Sequence, residues 1–218
     1  MKKRTKILNY IAGSALGLSL LGVLSNKIDI SSSRGSLENQ IARCSYHIPS
    51  ESIVSKEIEK KYSEEEILGI IGKAYDCAKN KPHYFNKRLF EGIARKESEL
   101  YQRAKSKKGA LGLYQFMPPV WEEQTKELYG RELPFSFAKH PRLNAEVALH
   151  HALWINSFSE RHYVNWNTVD EKSKRRVLMA SWNGGAPRLL SNKWDISLMP
   201  LETRRYVQAI SSAIEDED

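Results

Sequence analysis

From Ser63 to Ala213 the apolar residues recur at helical spacing, and no stretch pairs strand-like alternation with hairpin turn residues. That single periodicity restricts the chain to an all-α body. Ser63 and Glu66 open the series as a capping box, in which each side chain satisfies an orphan backbone N–H of the other. Ile67, Ile70, Ile71, Ala74 and Ala78 then follow on one face. A second helix is expected over about Asn86 to Ser98, with Leu89, Phe90, Ile93 and Ala94 inward. Pro118 or Pro119 suits the first turn of a third, which Gly130 ends. After a loop with Pro134 and Pro141, a long helix from about Asn144 to Glu160 turns Val147, His151, Trp154, Ile155 and Phe158 inward. Two further helices are expected, about Ser173 to Trp182 before Gly184-Gly185, and about Leu201 to Ala213.

The first 61 residues follow other rules. Lys2, Lys3, Arg4 and Lys6 stand without an acid before the mostly apolar stretch Ile7 to Leu24. Its apolar core, Tyr10 to Leu24, has the length of a signal-peptide core and is short for a membrane span. Val23 and Ser25 are small enough for a cleavage site before Asn26. Residues 1–25 therefore read as an export signal, the alternative being an uncleaved N-terminal membrane anchor. Residues 26–61 are Ser-rich and read as a linker with one short helix near Val54 to Lys60. Residues 62–218 form the folded domain.

Charge and cysteines narrow the partners. The chain of 218 residues carries +8, with 41% hydrophobic and 28% charged residues, a soluble globular composition outside its N-terminus. Removal of the four N-terminal cations leaves +4, gathered at Arg103, Lys105, Lys107 and Lys108. Outside the membrane such a patch favours anionic polymers such as cell-wall glycans with peptide carboxylates. No helix-turn-helix, finger or aromatic-basic repeat supports nucleic acid. Cys44 and Cys77 could form one disulfide in an exported chain, or Cys77 could be a buried thiol on its helix's apolar face. Adjacent His150 and His151 point to different faces with no HExxH pattern, which argues against zinc, and no cofactor motif is present.

One acid stands apart. Glu97 lies four residues after Ile93, on the face of Leu89 and Phe90, at the C-terminal end of its helix. Desolvation and the negative end of the helix dipole both raise the pKa of a carboxyl group placed there. A carboxylic acid protonated near neutral pH is what a general acid requires. Glu99, two residues on, turns roughly 200° away and reads as a surface charge. In SKKGALGLYQFMPPVW, Gly109 and Gly112 permit tight turns, and Gln115 can both donate and accept. Tyr114, Phe116, Met117 and Trp121 could line a groove for sugar rings.

The ordered set of Glu97-Ser98, GLYQFMP at Gly112 to Pro118, ASWNGG at Ala180 to Gly185 and ETRRYV at Glu202 to Val207 resembles the soluble lytic transglycosylase (SLT) family. The resemblance implies a lysozyme-like helical domain of the goose-type lysozyme/SLT kind. It implies cleavage of the β-1,4 bond between N-acetylmuramic acid and N-acetylglucosamine in peptidoglycan, without water, to leave a 1,6-anhydro end. Glu97 would be the single catalytic carboxylate, acid and then base. Ser98, Gln115, Met117 and Asn183 would contact substrate or shape the cleft, and Tyr206 would direct its hydroxyl at Glu97. Trp182 departs from the pattern, standing where the family usually has tyrosine. Two other readings use the same residues: a lysozyme-like hydrolase, and a cell-wall-binding component of a trans-envelope apparatus that does not cut.

Overall fold

The computed structural model describes residues 47–79 and 81–215. The expected signal or anchor, most of the expected linker and Cys44 lie outside the described residues. Among the described residues eight α-helices follow in order: α1 Glu51–Glu59, α2 Glu64–Cys77, α3 Lys87–Ser98, α4 Pro118–Tyr129, α5 Pro141–His162, α6 Glu171–Gly184, α7 Ala186–Ser191 and α8 Leu201–Glu215. Three short 3-10 helices lie between them, and no strand occurs among the described residues beyond two isolated bridges in the loop after α3.

The expected helix boundaries hold where a cap sets them. The Ser63–Glu66 capping box is formed with both hydrogen bonds, at 3.1 and 2.8 Å. Asn86 caps α3 by accepting from the Leu89 amide at 2.8 Å. Gly130 closes α4 in the left-handed conformation. Leu89, Phe90, Ile93 and Ala94 are completely buried, and of the expected α2 face only Ile70 stays half-exposed. Cys77, at the end of α2, is half-buried.

α5 differs from its expectation in kind. Sixteen of its 22 residues are buried, so it has no solvent face over most of its length. It is the spine of the domain: α2, α4 and α6 all pack on it, while α8 lies across α3 and α6. His151 and Trp154, expected inward, are half-buried, and His151 lies where this spine meets a surface cleft. α1 falls within the segment expected to be a linker, yet Val54 is fully buried in the common core, so these nine residues are part of the folded body.

Buried polar side chains tie the elements together. Asn144, at the start of α5, accepts from the Tyr114 amide at 2.9 Å and donates to the Ala138 carbonyl at 2.7 Å. It thereby fixes the loop that follows α3. Gly112 in that loop has φ +85°, and a Cβ there would stand 2.0 Å from the Ala138 carbonyl oxygen. No L-side chain fits that approach.

Candidate active site

Glu97 occupies the last turn of α3, where Glu99 and Leu100 enter the left-handed region at φ 53° and 62° and end the helix. The chain then turns back as a tight loop. The Ser106 amide donates to the Ala110 carbonyl, Leu111 and Phe116 exchange both of their backbone bonds at 3.0 Å, and the Gly112 amide donates to Ala104. The result is a firm wall facing the end of α3. A cleft of about 480 Å³ lies between them, lined on the loop side by Ser106, Lys107, Lys108, Gln115 and Met117, and on the other side by Glu97, Trp182, Asn183 and Glu202. His151 and the edges of Tyr114 and Phe116 form its floor.

The surroundings of Glu97 give it an unusual proton affinity. Burial pushes its pKa up from 4.5 to about 7, against the pull of the Tyr206 hydroxyl and the Trp182 indole N–H, both of which face the carboxyl group. Lys96 lowers it and Glu202 raises it, each at longer range. Near neutral pH the group therefore exists as acid and carboxylate in comparable amounts. Tyr206 is itself buried, its hydroxyl held far above its ordinary pKa, so it keeps its proton and can donate to the Glu97 carboxylate. Its oxygen falls short of hydrogen-bond geometry with any partner, Glu97 included, so it is aimed at the carboxyl without a full bond.

Trp182 is built into an aromatic floor. Its ring lies 5.0 Å from His151 edge-on, 5.8 Å from Tyr114 and 6.0 Å from Phe116. Where a tyrosine would offer a hydroxyl, this chain offers an indole N–H to Glu97. Desolvation holds His151 down to about 3, so it is a neutral ring at any physiological pH.

The remaining expected site residues divide. Glu97, Gln115, Met117 and Asn183 share the cleft, and Tyr206 lies behind Glu97. Gln115, held at φ 50°, spends its amide N–H groups on the carbonyls of Ala104 and Gly112, at 3.1 and 2.9 Å. Carbonyls accept only, so the amide oxygen is the atom left for a ligand. Ser98 is not brought to the cleft: it is buried, and its hydroxyl donates to Ala94 within α3 at 3.1 Å. Trp121 is fully buried and donates its N–H to Leu133, so it belongs to the core and not to the groove. His151 and Glu202 line the cleft although sequence reasoning gave neither a site role. Glu202 carried a signal, as the first residue of ETRRYV, whereas His151 read as an ordinary inward-facing residue. Among the described residues no group of three His, Cys, Asp or Glu side chains is placed to hold a metal, and no helix is long and apolar enough to cross a membrane.

An all-helical body, with a cleft built around one half-protonated carboxyl group, defines the class. The chain belongs to the transglycosylase SLT domain family, whose sequence model matches residues 76–193, more than half of its length. It is similar in structure to an inactive mutant of lytic transglycosylase Slt from Pseudomonas aeruginosa, at 19% identity and a TM-score of 0.49, over 68% of this chain and 22% of that one. This chain thus spans about a fifth of that protein's length, and the assignment rests on the family match alone. No curated protein matches the chain.

Proposed function

We propose that the protein is a murein lytic transglycosylase in which Glu97 serves as acid and then as base. The observation that carries this reading is the Glu97 carboxyl group, raised to about 7 in an open cleft and faced by two donors. Protonated Glu97 gives its proton to the oxygen of the β-1,4 bond between N-acetylmuramic acid and N-acetylglucosamine, and the leaving sugar departs with it. The carboxylate then accepts the proton of the muramic acid C6 hydroxyl as O6 bonds to C1. A 1,6-anhydro end forms, no water is consumed, and Glu97 is returned to its acid form. The Tyr206 hydroxyl and Trp182 indole N–H stabilise the carboxylate that exists between the two transfers. Gln115 Oε1, Met117 and Asn183 position the strand. Peptidoglycan lies outside the cytoplasmic membrane, so the reading carries export with it, through residues 1–25 as signal or anchor, and a use in cell-wall remodelling.

A hydrolytic mechanism would need a second carboxylate to activate water or attack the sugar. Glu202 also lines the cleft, but its side chain is largely exposed where that of Glu97 is enclosed, which favours the single-acid route. Mass spectrometry of digested murein decides between them. Anhydro-ended fragments, one water lighter than hydrolytic products, are expected from the wild type, with at least a ~10³-fold loss of rate in Glu97→Gln. Reducing ends that carry the extra water would sink the proposal, and no products at all would leave the wall-binding role. Because the acid form is needed first, kcat/KM falls as pH rises above about 7.

A further inference from the structure

Across the cleft from Glu97 the wall ends in a two-lysine turn. The Ser106 side chain accepts from the Ala110 amide at 2.9 Å, and the Gly109 amide donates to Ser106 at 3.0 Å. These bonds hold Lys107 and Lys108 at the tip of the turn, where both line the mouth of the cleft. Lys107 has no ion-pair partner among the described residues. Lys108 reaches Glu202, in the first turn of α8, at 3.7 Å, a separation too long for a hydrogen bond between two largely exposed side chains. Such a pair contributes little, so it parts readily when another anion is offered.

We propose that the Ser106–Gly109 turn is a carboxylate subsite at the rim of the cleft, where Lys107 and Lys108 hold peptide carboxylates carried by the murein strand. Glu202 is the intramolecular stand-in: it occupies Lys108 with the same functional group until substrate displaces it. The inference rests on the proposed murein substrate. A glycan strand lying over Glu97 projects its peptide branches from the sugar rings toward the cleft walls, and this wall is the cationic one. Lysine ammonium groups on flexible stems suit carboxylates arriving at variable positions, since they act as point charges without a fixed fork geometry.

Binding can be tested without turnover. Glu97→Gln protein and the same protein carrying Lys107→Ala and Lys108→Ala are co-sedimented with native murein and with murein whose carboxylates have been converted to amides. The lysine changes are expected to weaken binding to native murein roughly tenfold and to leave the two proteins equal on amidated murein. Glu202→Gln, added to the Glu97→Gln protein, is expected to strengthen binding to native murein by about twofold to threefold, because Lys108 is released. Unchanged binding to native murein overturns the subsite. So does an equal loss on amidated murein, which would assign the lysines to another anion such as a wall phosphate. Wild-type protein that releases no anhydro ends counts against the lytic reading alone, since this comparison reads binding.

Discussion

His150 and His151 are neighbours on one helix and serve different parts of the molecule. His150 turns into the α4–α5 interface, where its Nδ1 lies 2.9 Å from the Gln124 side-chain oxygen. His151 turns to the cleft floor, where its Nδ1 is buried without a partner and its ring braces Trp182. Both are kept neutral by burial, His150 at about 4 and His151 at about 3. The contrast extends beyond the pair. Buried polar groups that join helices, such as Asn144, His150 and Gln124, have their hydrogen bonds. Those around Glu97, such as the Tyr206 hydroxyl and His151 Nδ1, do not. The Ser157, Ser159 and Ser181 hydroxyls are buried without partners too, so it is the position of Tyr206 and His151 beside Glu97 and the cleft that ties those two to the site.

The contrast breaks if the two kinds of group respond alike to removal. Asn144→Ala strands both the Tyr114 amide and the Ala138 carbonyl in the core, and is expected to lower stability by about 3 kcal/mol in urea unfolding. His150→Leu leaves the Gln124 amide buried without its partner, for a loss of about 2 kcal/mol. His151→Leu breaks no hydrogen bond and should remain within about 1 kcal/mol of wild type. Equal losses at 150 and 151 would erase the distinction between scaffold and site.

Glu97 sharpens the comparison through pH. Its folded pKa, about 7, lies above the ordinary 4.5, so between those values the native state binds more protons than the unfolded one. Stability therefore falls as pH rises from about 4.5 to 7, and the loss is complete above that window. Glu97→Gln removes the buried charge, and is expected to stabilise the protein by about 1–2 kcal/mol at pH 8 and hardly at all at pH 4.5. A destabilised variant at pH 8 would mean that Tyr206 and Trp182 more than offset the desolvation.

What was legible in the sequence follows the range of the forces involved. Capping residues act within four positions, so Ser63, Asn86 and Gly130 announced their helix ends correctly. The position of Glu97 at the end of α3 and its raised pKa were legible too, because its apolar face is a local property. Long-range packing was not. α5 read as one-sided because His150, Asn144 and Asn156 look solvent-facing until Gln124, Ala138 and neighbouring helices supply partners. α7 escaped notice, since Gly184-Gly185 reads as a stop and six residues give too little periodicity. Ser98 was expected at the cleft with its neighbour Glu97, but one residue of helical rotation turns it into α3's own hydrogen bonding.

The order in which the chain supplies the site has a consequence in time. Glu97 belongs to the third helix, while Tyr206 and much of the cover over the acid come from the last, which packs directly on α3 and α6. Without α8 in place the carboxyl group loses this cover, and an uncovered glutamate is a carboxylate at neutral pH. The raised proton affinity is therefore absent from an unfolded chain. It arises only when α3 and α8 have packed together, so under the proposed mechanism the acid exists only in the folded protein.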